Sequence, residues 1–361
     1  MKSFIRQEIA LPVGLLTLLF FKTTGSELLT EATPLGIYLP VSAALLAIVT
    51  WAIFSVVRHS DALAIKLGEP FGTLILTLSV ISLEVVMISS VMLTGDPNPV
   101  MARDTMFAVV MLVTNGLVGF TLLFGGWRYH TQSFNLDGVK SYLVAIIPLA
   151  LLCLVLPNFT RGGAIGSMSS PMSWMLIIIS ILLYGIFLLI QTRSHSHFFV
   201  DSDHEDYGPL RSNVYHTILL LAYLVVVILL AKTLAVPINF GVKMMAAPPA
   251  LGGFIVACIV LAPEAVGAIK AAFNNQLQRA MNLYFGSVLA TIALTVPAVL
   301  FIGAMLGQEV RLGLSAADMV LLVTTLMVCK VTFSSGRTNV LHGATHLVLF
   351  VVYLFLMFEH E

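Results

Sequence analysis

The sequence predicts an all-α polytopic membrane protein of about eleven transmembrane helices, an extra N-terminal helix followed by two inverted repeats of five. Three observations carry that expectation. The 361 residues are 58% hydrophobic and only 10% charged, with a mean hydropathy of +0.99, far above an ordinary soluble domain. Apolar runs of about twenty residues, the length that crosses a bilayer, recur along the whole chain. Two of these runs hold a glutamate near their middle, Glu84 and Glu264, and each glutamate follows a glycine, Gly72 or Gly252, by 12 residues. A carboxylate at membrane depth costs several kcal/mol and is tolerated beside a polar pathway, a cation or a proton.

Taken in order, the spans are read as 8–21, 36–57, 70–93, 104–126, 140–157, 171–191, 214–231, 248–273, 280–305, 316–333 and 339–358. The first is short. It follows a basic start, Met1 to Arg6, and no small-residue cleavage site follows its apolar run, so no signal peptide is expected. In the third, Pro70 suits the opening turn while Gly68 and Gly72 allow close backbone approach, features fitted to an interrupted or closely packed segment. Arg103 and Asp104 open the fourth, as a gate or as a helix-start ion pair, and the simple pair is the favoured reading. In the eighth, Pro263 directly precedes Glu264, removing a backbone donor and freeing a carbonyl near the carboxylate. That carbonyl either coordinates a cation or is satisfied by a neighbouring side chain at a simple kink. The last span carries His342 and His346, for which local hydrogen bonding outweighs a proton relay.

Charge distribution orients the chain. With the N-terminus inside, the cytoplasmic ends hold twelve basic residues: Lys2, Arg6, Arg58, Lys66, Arg128, Lys140, Arg193, Arg211, Lys270, Arg279, Lys330 and Arg337. The opposite ends hold six: Lys22, Arg103, Arg161, Lys232, Lys243 and Arg311. That excess predicts a cytoplasmic N-terminus and a periplasmic C-terminus. The third and eighth spans then cross in opposite directions. The expected organisation is an extra helix over 1–30, a first repeat over 31–193 with its glutamate helix at 70–93, a cytoplasmic linker over 194–213, and a second repeat over 214–361 with its glutamate helix at 248–273.

Oxygen donors cluster around the two glutamates. Ser79 and Ser82 share the Glu84 helix, the following span offers Thr114 and Asn115, and the span after Glu264 offers Ser287 and Thr291 one turn apart. Carboxylates with neutral oxygens suit Ca2+ and also Na+, whereas hydroxyls in membrane helices often bond back to their own backbone. Burial makes ionised carboxylates costly, so protons and cations compete for the same oxygens, and competition at one site is exchange. The linker carries His195, His197, Asp201, Asp203, His204, Glu205 and Asp206, read either as a solvated linker or as a cytoplasmic sensor of Ca2+ or pH. Cys153, Cys258 and Cys329 lie in apolar runs without CxxC spacing and are read as packing residues. No HExxH or clustered aspartate motif supports a membrane enzyme, and no cofactor is expected. A net charge of zero gives no reason to expect nucleic acid. The expected partners are the lipid bilayer, inorganic cations and protons, and a homo-oligomer stays open.

The stretches LGEPFGTLILTLSVISLEVVMIS (67–89) and LAPEAVGAIKAAFNNQLQRAMNLYFGSVLATIALTVP (261–297) closely resemble bacterial calcium/sodium/potassium:proton antiporters of the calcium:cation antiporter superfamily. The likeness extends through VVRHSDALA (56–64), RDTMFAVVMLVTNGLVGF (103–120), FLLIQT (187–192) and SSGRTNVLHGATHL (334–347). It implies a bacterial inner-membrane antiporter exchanging cytoplasmic Ca2+, Na+ or K+ for protons, with Glu84 and Glu264 at the positions of the family's cation-binding glutamates. The family's Gly-Asn pairs are replaced here by Val80-Ile81 and Val260-Leu261, while Gly286-Ser287 is retained. A cation channel with carboxylates along a pore is the competing reading. Deleting 195–206 is expected to shift the pH or Ca2+ dependence of exchange while exchange persists; an activation profile that does not move marks the segment as a linker.

Overall fold

The computed structural model describes residues 8–30, 32–68, 71–92, 98–160, 164–199 and 211–359. Among these residues the chain forms the helices α1 (Ala10–Thr23), α2 (Leu35–Leu67), α3 (Phe71–Met92), α4 (Met101–Tyr129), α5 (Leu136–Leu154), α6 (Ser170–Ser194), α7 (Asn213–Met244), α8 (Ala250–Phe273), α9 (Leu277–Leu306), α10 (Ala316–Thr332) and α11 (Val340–Glu359). Among the described residues, nine are long and apolar enough to cross a membrane, all but α1 and α10. At 1.5 Å per residue, the 14 residues of α1 and the 17 of α10 reach roughly 21 and 26 Å, short of a hydrocarbon core of about 30 Å.

Helix limits follow local chemistry. Asn135, Ser212 and Ser315 cap α5, α7 and α10 by accepting from backbone N–H groups of the first turn. Helix α2 runs for 33 residues, ten beyond the predicted end at 57, because nothing halts it until Gly68, whose φ of +64° is the left-handed conformation a glycine adopts without strain. Helix α7 likewise extends to Met244, past the predicted 231. Pro70 lies outside the described residues.

The chain packs as two compact units, one formed by 1–98 and 206–263, the other by 99–205 and 264–361. Each takes helices from both halves of the sequence, so neither is one of the predicted repeats. In the first unit α2, α3 and α7 pack together and α1 lies on α2 and α7. Buried positions recur every three or four residues, at Leu45, Val49, Ala52, Ile53 and Val56 in α2 and at Tyr223, Val226, Val227, Leu230 and Leu234 in α7. That spacing is one stripe per helix, though both helices are apolar all round.

In the second unit, α11 lies so close to α4 that glycines are needed at the contact. A Cβ on Gly126 would stand 2.6 Å from the Val340 nitrogen, one on Gly119 would stand 2.9 Å from the Leu347 nitrogen, and one on Gly343 would meet the Leu123 backbone. At one end of this unit β1 (Gln132–Ser133) pairs with β2 (Arg337–Thr338), Gln132 Nε2 donates to Asn275 Oδ1 at 2.8 Å, and Asn282 Nδ2 donates to the Phe199 carbonyl at 2.6 Å. At the other end the Arg311 N–H donates to the Pro99 carbonyl and the Leu314 N–H to the Leu154 carbonyl, both at 2.9 Å. Helix α10 joins these two ends.

The helical ladder is irregular at the end of α6, where a π turn occupies Ile190–Ser194, and in the interiors of α4 and α9, where π turns occupy Leu112–Leu117 and Thr291–Thr295. The glutamate helices α3 and α8 are continuous, so of the two readings, an interrupted or a closely packed segment, the interruption is not found there. A single proline removes one ladder bond, and the bonds on either side of Pro263 hold the helix together. Large apolar side chains such as Ile178, Leu182 and Ile186 on α6 and Val348 and Phe355 on α11 face outward, as helices bathed in lipid require. Gly343→Ala and Gly126→Ala are each expected to lower stability by about 1–3 kcal/mol through overpacking. Gly185→Ala in α6, where added bulk meets open space, should leave the unfolding midpoint in detergent unchanged.

Candidate cation and proton site

Glu84 is the sole ionisable residue of α3 and is buried to 2% exposure, flanked along the helix by buried Ile81, Leu83, Met87 and Ile88. Its Oε1 is fully enclosed. Glu264 stands in α8 directly after the buried Pro263. Its side chain is half-buried, with both carboxylate oxygens enclosed. An isolated ionised carboxylate in such surroundings is strongly disfavoured, so each needs a compensating cation, a proton or polar partners.

The hydroxyls on these and neighbouring helices serve mainly their own backbones. Ser79 Oγ donates to the Ile75 carbonyl at 2.7 Å and Ser82 Oγ to the Leu78 carbonyl at 2.6 Å, with Ser82 exposed rather than turned inward. Thr114 Oγ1 donates to the Val110 carbonyl. Each keeps its oxygen lone pairs. Ser287 is half-buried on α9, and Thr291 is buried where the π turn of α9 begins. Thus Thr114, Asn115 and Thr291 all sit in π turns, backbone irregularities that recur at functional sites.

Asn115 is held on both sides. Its Nδ2 donates to Thr325 Oγ1 at 2.8 Å and to Met111 Sδ at 3.3 Å, while its Oδ1 lies 3.0 Å from His346 Nδ1. An amide oxygen only accepts, so His346 carries its hydrogen on Nδ1, and Thr332 Oγ1, 3.1 Å away, donates to Nε2. Both Asn115 and His346 are fully buried at 0% exposure. This network ties α4, α10 and α11 together within one unit and makes Asn115 a crosslink whose amide oxygen keeps a second lone pair.

Other sequence readings find their places. Arg103 Nε donates to Asp104 Oδ1 at 2.8 Å, the ion pair expected at the start of α4. Cys153 and Cys329 are buried and Cys258 is half-buried, all unpaired thiols. His195 and His197 are exposed, their ring centroids 6.2 Å apart, while Asp201, Asp203, His204, Glu205 and Asp206 lie outside the described residues. Among the described residues no three His, Cys, Asp or Glu side chains gather as a metal site.

Sequence reasoning overlooked two features. One is Thr295, fully buried in the π turn of α9 and 31 residues after Glu264, as Asn115 is 31 after Glu84; that equal offset was the available signal. The other is a cluster in which exposed Arg58 meets buried Glu8, His59 and His216, signalled only by ionisable residues in or next to apolar helices.

Membrane-length apolar helices, outward-facing hydrophobic side chains and enclosed carboxylates define a multi-pass helical membrane protein. The chain belongs to the sodium/calcium exchanger protein family, whose profile matches residues 37–193 and 215–359 and so takes in both stretches that carry the resemblance. It is 49% identical over 320 residues to the sodium-potassium/proton antiporter ChaA of Escherichia coli (strain K12), covering 84% of this chain and 85% of that protein. The structure of native YfkE matches at a TM-score of 0.72 and 19% identity, covering 98% of this chain and 99% of the other. That of the H+/Ca2+ exchanger CAX matches at 0.69 and 13% identity, covering 98% and 89%. At those identities the two structures show a shared fold.

Asn115→Leu and His346→Phe are each expected to lower stability by about 1–3 kcal/mol, because each strands the other's buried polar group. A double-mutant cycle read by thermal unfolding should return a coupling of about 0.5–3 kcal/mol, the signature of a shared network.

Proposed function

We propose that the protein is a secondary antiporter that moves Na+, K+ or Ca2+ against protons, with Glu84 and Glu264 binding cation and protons in turn. One observation carries the activity: 49% identity across 84% of the chain to a protein named a sodium-potassium/proton antiporter. A more distant relative, 24% identical, is named a Ca2+/H+ antiporter and keeps Ca2+ among the candidate substrates. The two glutamates are assigned because each is an enclosed carboxylate at the middle of an apolar helix, and because the sequence sets both behind a glycine by the same 12 residues.

The mechanism follows from charge. Two ionised carboxylates without a counter-ion are costly to seal from water, whereas two protons or one Ca2+ neutralise them, so only loaded states change exposure readily. Neutral oxygens complete the shell for a bound ion; Thr291, Thr295 and the carbonyl freed by Pro263 are the candidates. The π turns give α4 and α9 backbone able to shift while the glutamate helices stay rigid. Helix α10 joins the two ends of its unit, which supports an eleven-helix topology despite its length. The excess of basic residues places the N-terminus in the cytoplasm and the C-terminus in the periplasm of a bacterial inner membrane. Two inverted repeats, 31–193 and 214–361, with the sensor or linker between them, remain the organisation this reading adopts.

Glu84→Gln and Glu264→Gln are each expected to reduce cation-dependent proton flux in everted vesicles to background. Wild-type exchange in either variant overturns the shared carboxylate site, and cation conduction without proton counterflow identifies a channel instead.

A further inference from the structure

A second set of ionisable side chains lies within the first unit, away from both glutamates in sequence, where the residues just ahead of α1 meet α2 and α7. Glu8 is 9% exposed and collects four donors. Arg58 Nη2 donates to its Oε2 at 2.8 Å, Tyr223 donates to Oε2 at 3.0 Å, Tyr215 donates to Oε1 at 2.9 Å, and His59 Nε2 lies 3.2 Å from Oε2. With an arginine and two tyrosines donating to it, the carboxyl group is ionised, so the His59 nitrogen beside it carries a hydrogen; Arg58 Nη2 also lies 3.2 Å from that nitrogen, but its closer acceptor is Oε2 at 2.8 Å. His59 Nδ1 then bears the lone pair of the neutral ring. It faces His216 Nδ1 at 3.0 Å, and that nitrogen must therefore be the N–H. What remains is His216 Nε2, a basic nitrogen in a residue 8% exposed, buried and with no hydrogen-bond partner among the described residues.

We propose that Glu8, His59 and His216 form a proton-binding site distinct from the two glutamates. One proton enters at His216 Nε2. The hydrogen on His216 Nδ1 passes to His59 Nδ1, leaving His59 as an imidazolium against the Glu8 carboxylate and His216 neutral, with its hydrogen on Nε2. No heavy atom moves and no hydrogen bond is lost. The loaded state replaces a neutral hydrogen bond to Glu8 with a charge-assisted one, which tightens the hold of the Glu8 segment on α2 and α7 as pH falls. The charges around the pair are Glu8 from the N-terminal side, Arg58, Asp61 and Lys66 on α2, and Arg211, Tyr215 and Tyr223 on or beside α7. Helix α3, which also packs there, has no ionisable side chain but Glu84. Lys66 Nζ donates to the Arg211 carbonyl, so basic residues rim the site and oppose loading until the proton concentration rises.

The test is a pH titration of the full chain in detergent with 15N-labelled histidine, read by NMR on the nine histidines. At neutral pH, His59 is expected with its hydrogen on Nε2 and His216 with its hydrogen on Nδ1, the pair taking up one proton jointly as the sample is acidified. Glu8→Gln should weaken that uptake about tenfold, moving the midpoint about one pH unit lower. Tyr215→Phe, which removes one donor and leaves a less neutralised carboxylate, should move it the other way and serves if Glu8→Gln does not fold. The opposite tautomers, two independent protonations, or a midpoint indifferent to both substitutions overturns the site. Any role in transport rests on the antiport reading: His216→Gln should displace the pH profile of cation-driven proton flux without lowering its maximum. Tautomers as expected with no flux in the wild type would sink the antiport reading and leave the proton site standing, whereas flux with an unmoved profile would deny the site a regulatory role.

Discussion

Inside a bilayer a polar atom has no water to fall back on, and that single constraint organises this molecule. Ser79, Ser82, Thr105 and Thr114 each return their hydroxyl hydrogen to a backbone carbonyl four residues earlier, the nearest acceptor a helix provides. Where a side chain is too large or too polar for that solution, the structure builds a partner set across helices. Asn115 and His346 bind α4 to α11 with Thr325 and Thr332 completing the pair, and Glu8 is met by arginine, histidine and two tyrosines from α2 and α7. The polar groups of the spans thus double as the crosslinks between helices, which apolar packing in lipid cannot supply by water exclusion.

The same constraint separates rigid from adaptable parts. Glutamate helices α3 and α8 are unbroken, and their carboxylates are enclosed. The ladder instead relaxes into π turns on α4 and α9, where carbonyls leave their usual partners without reaching lipid. Regular backbone thus carries the buried carboxylates, and the irregular backbone lies on other helices. Against it, α11 is seated on α4 by three glycines and the His346–Asn115 bond, and Thr325 on α10 holds Asn115 from the other side, so the first π turn is braced by two helices.

The assignment of helices to units brings together elements that are far apart in sequence. Helices α1, α2, α3 and α7 form one unit while α4 to α6 and α9 to α11 belong to the other, so the leading helices of the two sequence halves associate with each other rather than with their own followers. The change of unit falls between Asn98 and Pro99, ahead of α4, between residues 205 and 206, and between Pro263 and Glu264, inside α8. The last of these divisions passes through the Pro263–Glu264 bond, where the proline has already removed one backbone hydrogen bond.

Length and hydropathy settled the helical class, because a polar backbone in lipid has few alternatives to the helix. All eleven predicted spans correspond to helices, and Glu84 and Glu264 stood out in sequence because a carboxylate in an apolar run conflicts with its surroundings. The boundaries of α2 and α7 were misjudged, since a helix stops at a capping residue or a glycine rather than where hydropathy falls. The fate of the neutral polar residues was not legible at all. Asn115 reads in sequence as an oxygen ligand like Thr291, and only the approach of α11, 231 residues away, turns it into a crosslink. Glu8, His59 and His216 are unremarkable apart and become one cluster only where three helices converge. Sequence alone determined which residues are costly to bury, since that is a property of each side chain against its neighbours in the chain; tertiary structure decided which partners offset the cost, since hydrogen bonds act over about 3 Å and those partners are remote in sequence.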